Sequence, residues 1–309
     1  MQEETVAKIT ATLVAELRAK TGAGMMDCKK ALNETDGNMD EAVDFLRKKG
    51  LSAAAKKSDR VAAEGMVAVA GEGKVGALAE INSETDFVAK NDAFRGFSAG
   101  IATVVLNENP ADIAALTALG FPGSDRTVAD ELNHQIATIG ENMNIRRIAR
   151  LETTSGTVAS YVHGTGKIGV LVQLDSLKEC ERLSAVARQI AMHVAAAAPQ
   201  YLKREEVPAE VVAKEKEIMR VKAIESGKPE KIVDKIIDGQ INKYFGEICL
   251  LEQVYVIDTD FTVSKVVENL AKEIGAEVSL SGYVRFQLGE GIEKRADDFA
   301  AEVASLSKG

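Results

Sequence analysis

The chain has 309 residues, of which 46% are hydrophobic and 28% charged, and its formal net charge is −9. This length and balance are typical of a water-soluble globular protein with two or more domains. No apolar run approaches the ~20 residues that cross a membrane, the acidic first residues lack the features of a signal peptide, and the negative charge disfavours nucleic acid. We therefore expect a cytoplasmic protein without a membrane or direct nucleic-acid partner.

Residues 1–52 are predicted to form a module of three short helices. Thr10 can cap the first helix, which ends near Gly22. Gly24 begins the second helix, and Asp40 begins a third that is expected to end at Gly50. Each helix alone is too short to be stable in water, so we expect the three to pack together.

Alternating apolar residues predict β-hairpins in the next part of the chain. Residues 66–70 alternate with period two, and residues 74–81 form a returning strand after a glycine turn. The same pattern recurs at 156–172, where GKIG at 166–169 repeats GKVG at 73–76. Because each hairpin leads into an apolar helix, the pattern indicates an internal duplication, with two hairpin-plus-helix halves in one core.

Residues 203–249 are predicted to form an antiparallel helical hairpin, broken by SGKP at 226–229. Its apolar seam is too narrow for a globular core, so the hairpin is expected to project from the body. Strand patterns return at 254–257 and 282–286, and a final amphipathic helix is predicted at 298–306. Helices outside a strand-rich core, without βαβ alternation, indicate an α+β fold.

Residues that carry enzyme chemistry lack the usual spacings. The glycine-rich turns at 71–74 and 164–167 lie at hairpins and lack the pattern of a phosphate-binding loop. No nucleophile motif or acid–base pair stands out, and the cysteines and histidines are too scattered for a metal site. These are Cys28, Cys180, Cys249, His134, His163 and His193. We therefore expect neither a catalytic site nor a metal or other cofactor.

An acid and an aromatic residue, Asp86 and Phe87, stand side by side directly after a predicted strand. One interpretation is a helix start, with Thr85 or Asp86 as the cap and Phe87 packed inward. The other is an exposed site that contacts a partner. The local sequence is compatible with both.

Two adjacent methionines, Met25 and Met26, stand out in the predicted second helix. Neighbouring positions cannot both face one helix core, so at least one of these side chains is expected at the surface. Methionine is favoured at adaptable binding surfaces.

Five blocks of the sequence form an ordered set of motifs. They are LRAKTGAGMMDCKKAL at 17–32, TDFVAKN at 85–91, IGENMNIRR at 139–147, IAMHVA at 190–195 and GEGIEK at 289–294. In content and order they closely resemble the signatures of the bacterial translation elongation factor Ts family. The resemblance covers nearly the whole chain and is weakest at 107–127.

Sequence pattern and resemblance together divide the chain into six segments. They are the three-helix module (1–52), the first half of the core (53–140), its second half (141–202), the helical hairpin inserted there (203–249), the return of the second half (250–290) and a C-terminal helical module (291–309). The family's coiled-coil hairpin is associated with self-association, and the resemblance implies the same for this one.

The resemblance implies a guanine-nucleotide exchange factor that binds the GTPase elongation factor Tu and promotes GDP release. The two terminal modules would grip the partner's nucleotide domain while the core supplies the disrupting contacts. Asp86 and Phe87 would act near the partner's magnesium ion, and His163 near its phosphate loop. The residues implied as partner contacts are Arg18, Met25, Met26, Asp86, Phe87, Ile139, Gly140, Asn142, Asn144 and His163.

Two other classes of function are compatible with the sequence. A three-helix module with a projecting hairpin would suit a non-enzymatic interaction scaffold or chaperone-like protein. An enzyme that uses His163 as its base would need a closed, desolvated pocket around that histidine.

Overall fold

The computed structural model describes residues 9–227 and 229–293, so the helix predicted at 298–306 lies outside the described residues. The helices are α1 Ala11–Thr21, α2 Met25–Glu34, α3 Met39–Ala55, α4 Asp92–Glu108, α5 Ile113–Ala118, α6 Val128–Ile139, α7 Glu181–Ala197, α8 Ala209–Glu225, α9 Glu230–Ile248 and α10 Val263–Ile274. The strands are β1 Glu64–Ala70, β2 Val75–Ser83, β3 Met143–Glu152, β4 Gly156–His163, β5 Ile168–Asp175 and β6 Ser279–Gln287. The fold is α+β.

The three-helix module forms as the sequence predicts. The side chain of Thr10 caps α1, and Gly22 ends that helix in the left-handed region, with φ of 67°. The core of the module includes Leu17, Cys28 and Leu32, all fully buried. These side chains recur at helical spacing, so burying one face of each helix stabilises elements that would be unstable alone.

The third helix differs from the prediction at both ends. Asn38, rather than Asp40, caps α3 by accepting the N–H groups that follow it. The predicted end at Gly50 is wrong, because α3 continues to Ala55. Gly50 lies against α6, where an added Cβ would be 3.7 Å from the Cβ of Ala137. A glycine is tolerated within a helix when packing offsets its low helix propensity.

The duplication is confirmed by two three-stranded antiparallel sheets of the same topology. The first has the order β1-β2-β3 and the second β4-β5-β6. In both sheets the pairing of the central strand with the third strand shifts register once. The shift lies between Glu80 and Ile81 in the β2–β3 pair and between Gln173 and Leu174 in the β5–β6 pair. The duplication thus extends to the third strand of each half, beyond the hairpin-plus-helix unit seen in the sequence.

The two sheets pack face to face, and helices cover their outer faces. Val67, Leu78, Val158 and Leu171 form the apolar layer between the sheets, together with Phe286. Helix α4 packs on the first sheet, and α7 packs on the second. The molecule's main core therefore has four layers, in the order helix, sheet, sheet, helix.

Two predictions are corrected by the strand pairing. The division at 140/141 assigned residues 141–202 to the second half, but β3 pairs with β2 along its length and belongs to the first sheet. The strand predicted at 254–257 is wrong, because Tyr255 donates its N–H to Phe261 O at 2.9 Å and the segment folds back as a loop. Its alternation arises because Tyr255 is buried between two exposed valines.

Helices α8 and α9 form the predicted hairpin. They pack on each other through Ala223, Val233 and Ile237, and an ion pair joins Arg220 to Asp234 at 2.5 Å. The hairpin leaves and rejoins the second half between Tyr201 and Cys249, which form a parallel bridge. Within the described ranges, no helix is both long enough and apolar enough to span a bilayer.

Candidate functional site

Two of the signature segments meet at one end of the first sheet. Ser83, the last residue of β2, pairs with Met143, the first residue of β3. Because the strands are antiparallel, the loop that leaves β2 and the turn that enters β3 lie side by side. We call residues 84–91 the aromatic loop and residues 139–142 the adjoining turn.

The aromatic loop presents Phe87 to solvent, with 76% of its surface exposed. The helix-start interpretation is wrong, because the cap of α4 is Asn91, whose Oδ1 accepts the N–H groups of Ala93 and Phe94. A single 3-10 turn, Val88–Lys90, precedes it, and Val88 is the side chain that packs inward. Large exposed aromatic groups are typical of interaction sites.

The acid beside the ring is paired with a lysine of the same loop. Lys90 Nζ donates to Asp86 Oδ2 at 3.1 Å and lies 5.4 Å from the centroid of the Phe87 ring. Both side chains of the ion pair are largely exposed. An exposed pair of this kind is weak, so Asp86 can exchange Lys90 for another partner at little cost.

Two carboxylates tie the aromatic loop to the adjoining turn. Thr85 donates its N–H to Glu141 Oε2 at 2.9 Å and its hydroxyl to Glu141 Oε1 at 2.6 Å. In the opposite direction, the N–H of Asn142 donates to Glu84 Oε1 at 2.5 Å, and Arg60 contacts the same oxygen at 3.3 Å. Both acids lie within or beside the signature blocks, yet the sequence did not mark them as site residues.

The turn and the start of β3 expose some of the predicted contacts and bury others. Gly140 ends α6 with φ of 91° and is exposed, as is Asn144. Ile139 is half-buried against the apolar cluster that α4 forms with the first sheet. Asn142 is only 7% exposed, and its Nδ2 donates to Arg60 O at 2.7 Å. The Asn142 side chain therefore holds the chain before β1 against the site.

Arg18, Met25 and Met26 line a groove of about 690 Å³ along α1 and α2. Both methionines are exposed, Met25 by 59% and Met26 by 73%. The expectation that at least one is exposed is confirmed, because the inner face of α2 is formed by other residues. Arg18 and Lys29 add positive charge to the mainly apolar groove.

The module that carries this groove is docked on α6, the helix that leads into the adjoining turn. Helix α3 packs along α6, and Arg47 makes a two-pronged contact with Asp130 at 2.5 and 3.2 Å. Hydrogen bonds from Arg47 and Thr127, with the charge of Arg47, hold the pKa of Asp130 below its ordinary value although burial opposes this. The groove and the aromatic loop are thus parts of one connected framework.

His163 lies apart from these residues, at the end of β4 in the second half. The ring is exposed, and its Nδ1 lies 3.1 Å from the hydroxyl of Tyr161. The closed pocket that an enzyme with His163 as its base would need does not surround this histidine. Among the described residues, no group of three or more His, Cys, Asp or Glu side chains could hold a metal ion.

Comparison with known proteins places these features in a family. Residues 84–290 match the sequence model of the family described as Elongation factor TS. Elongation factor Ts of Syntrophotalea carbinolica is 70% identical to this chain, with 97% of the chain and 100% of the relative covered. The homologues of Paramagnetospirillum magneticum, 56% identical with 97% of each chain covered, and Trichlorobacter lovleyi, 55% identical with 97% and 98% covered, share that name. With the fold and the paired signature segments, these matches show that the chain belongs to the elongation factor Ts family of translation elongation factors.

Proposed function

We propose that this chain is a guanine-nucleotide exchange factor that binds elongation factor Tu and promotes release of GDP during translation elongation. The observation that carries the proposal is the exposed Phe87 on a loop that is held firmly at its base. The chain would act without a chemical step of its own, through binding energy alone.

An exchange factor must bind the nucleotide-free partner more tightly than the loaded one, because only differential affinity shifts an equilibrium. Coupling is reciprocal, so nucleotide also expels the factor. A thousandfold gain in release requires ~4 kcal/mol. A phenylalanine that buries ~150–250 Å² supplies roughly 4–6 kcal/mol at ~25 cal/mol/Å² before ordering costs are subtracted. One aromatic side chain is therefore large enough to provide much of the effect.

In this mechanism, Phe87 wedges into the partner and displaces groups that organise its magnesium ion. Asp86 brings a negative charge to the same place once it leaves Lys90. Loss of the magnesium ion removes the main neutraliser of the nucleotide phosphates, and the nucleotide leaves. Because the Asp86–Lys90 pair partly cancels that charge before binding, the aromatic ring contributes more than the acid.

The other predicted contacts divide into a gripping surface and flanking positions. The groove with Arg18, Met25 and Met26 suits an amphipathic helix of the partner, because its walls are apolar and its charges positive. Gly140 and Asn144, beside the aromatic loop, would contact the partner next to Phe87. His163 would contact it from the second half, near the phosphate loop.

We assign self-association to the helical hairpin. Val221, Ile224 and Ile232 lie near its tip and are about half exposed. Apolar side chains on a projecting hairpin are suited to pack against the same surface of a second copy.

Stopped-flow release of labelled GDP from elongation factor Tu tests the exchange activity. Phe87→Ala is expected to lower the stimulated rate about 100-fold, which corresponds to ~3 kcal/mol. Leu177→Ala is the matched control, because Leu177 is another apolar side chain, 95% exposed, in the second half. Full stimulation by a folded Phe87→Ala variant would exclude the wedge. Absence of any stimulation by the wild-type chain would exclude the exchange function.

A further inference from the structure

The direction of the Phe87 ring depends on the backbone on either side of it. With 76% of its surface exposed, the ring is not held by packing. On the C-terminal side, the backbone is fixed by buried Val88 and by the Asn91 cap of α4. On the N-terminal side, it is fixed at Thr85 by the carboxylate of Glu141, which belongs to a different segment of the chain.

The contact between Thr85 and Glu141 has the geometry of a two-point clamp. Backbone N–H and side-chain hydroxyl of one residue donate to the two oxygens of one carboxylate, at 2.9 and 2.6 Å. Hydrogen bonds to an ionised acceptor are stronger than neutral ones. Two such bonds restrain both the position and the rotation of the backbone two residues before Phe87.

We infer that Glu141 is a positioning residue that holds the aromatic loop in its binding-competent conformation before the partner arrives. This inference rests on the proposed exchange function and deepens it. In this scheme the gripping surface binds the partner first, so the cost of ordering the loop falls on the later step in which Phe87 enters the partner, and a loop ordered in advance avoids that cost. Glu141 contacts neither nucleotide nor magnesium in this scheme and acts only through Thr85 and Phe87.

The test compares Glu141→Ala with Glu141→Gln. The glutamine oxygen can still accept the Thr85 N–H, and its amide can donate to the Thr85 hydroxyl, so this variant retains the clamp. The alanine variant loses both bonds. Glu206→Ala is the control, because Glu206 also accepts a backbone N–H, that of Leu202 at 3.1 Å, but lies at the base of the hairpin.

The rate of GDP release is measured as a function of factor concentration. The plateau is the rate of GDP release at saturating factor. Glu141→Ala is expected to lower this plateau about tenfold, because the variant loses the charge-assisted bonds to Thr85, and to leave the half-saturating concentration unchanged. Glu206→Ala should keep the wild-type plateau, and Glu141→Gln, which keeps both bonds without the charge, should give a plateau well above that of Glu141→Ala. A purely structural role would instead reduce the folded fraction, which raises the half-saturating concentration and leaves the plateau intact. An unchanged plateau in Glu141→Ala would overturn the inference.

Hydrogen exchange in the free chain provides a readout that does not involve the partner. The backbone amides of residues 85–88 should exchange faster in Glu141→Ala than in Glu141→Gln, while those of α4 keep their rates. Equal rates in both variants would also overturn the inference. If the wild-type chain failed to stimulate GDP release while these amides responded as expected, the proposed function would fail and the clamp would stand.

Discussion

Glu80 has no exposed side-chain surface and joins three parts of the chain. Its carboxylate accepts hydrogen bonds from Arg146 at 3.0 Å, Arg147 at 2.6 Å and the N–H of Gly289 at 2.9 Å. Burial raises the pKa of Glu80, but the hydrogen bonds from Gly289 and the two arginines outweigh it and hold the pKa below its ordinary value. The GEGIEK segment is thus fixed to the first sheet at a buried ion cluster.

Replacement of this carboxylate should weaken the fold. Glu80→Gln is expected to lower the free energy of unfolding by about 2–3 kcal/mol at pH 7, because it removes the buried carboxylate that two partly buried guanidinium groups share and leaves only the outer ion pair of Arg147 with Glu290. Urea unfolding followed by circular dichroism measures this. Glu273→Gln removes an exposed carboxylate paired with Arg182 and should change little. Equal urea midpoints for wild type and Glu80→Gln would contradict the prediction.

The pH dependence of this effect has a definite sign. Because the pKa of Glu80 is lowered on folding, its contribution is complete above the unfolded pKa of about 4.3 and is lost as the pH falls through the lower folded value. The difference in unfolding free energy between wild type and Glu80→Gln should therefore shrink below about pH 4. A difference that stays constant down to pH 3 would contradict this assignment.

His193 shows that a signature residue can have an internal role. It is fully buried in α7, where its Nδ1 accepts the N–H of Val256 at 3.2 Å and its Nε2 lies 3.0 Å from Gln253 Oε1. These contacts suit the neutral ring with the proton on Nε2, and burial lowers the pKa despite the bond with Gln253. The IAMHVA block thus anchors the chain that returns from the helical hairpin.

At the scale of elements, the helical hairpin occupies the place that α5 has in the first half. At the first residue of α6, Val128 donates its N–H to Leu119 O at 2.8 Å, and at the first residue of α10, Val263 donates its N–H to Gln253 O at 3.0 Å. Helices α6 and α10 both follow a threonine cap and end at a glycine in the left-handed region. The hairpin is therefore an insertion into one half of a duplicated unit rather than part of the shared core.

An insertion whose ends are adjacent should be removable. Replacement of residues 215–240 by a short Gly-Ser linker keeps the hairpin base around Tyr201, Val211 and Tyr244 and removes the tip. We expect the thermal midpoint of the core to change by only a few degrees, as measured by calorimetry. Sedimentation velocity should show less self-association than in the full chain. Loss of cooperative unfolding in this variant would contradict the insertion, and unchanged self-association would contradict the role assigned to the tip.

At the scale of the whole molecule, the two halves meet through equivalent contacts. The N–H of Val158 donates to Gly73 O at 2.5 Å, and the N–H of Val67 donates to Gly166 O at 2.8 Å. Gly73 and Gly166 occupy matching positions in the repeated GKVG and GKIG blocks. The repeated motif is therefore explained by the interface between the sheets rather than by a phosphate site.

The last glycine of each repeat permits the sheets to approach closely. A Cβ on Gly169 would lie 2.5 Å from Val67 Cγ1 and 3.1 Å from Leu78 Cδ2. Gly169→Ala is expected to destabilise the fold by about 1–3 kcal/mol through overpacking, measured by urea unfolding. Gly282→Ala is the matched control on β6, because no atom lies within 4 Å of its added Cβ. Equal destabilisation by both variants would contradict this account of the interface.

Several elements escaped the sequence analysis for physical reasons. Strand β3 carries Arg146 and Arg147, and these charges obscure its alternation because their common partner, Glu80, comes from the neighbouring strand β2 and is brought to them only by folding. Helix α10 was also not predicted, although its buried residues recur at helical spacing between a threonine cap and a glycine end and could have indicated it. Helices α5 and α6 lie in or just after the segment where the family resemblance is weakest.

The sequence by itself determined the three-helix module, the two β-hairpins, the helical hairpin, the internal duplication and the family, because caps, periodicity and motifs depend on residues close together in the chain. Only the tertiary structure decided that Val88 turns inward and Phe87 outward. Both side chains are apolar, and which of them is buried depends on which one meets the apolar cluster between α4 and the first sheet. It also assigned β3 to the first half and brought Glu141 to Thr85. Those outcomes depend on hydrogen bonds between segments far apart in sequence, which no local pattern encodes.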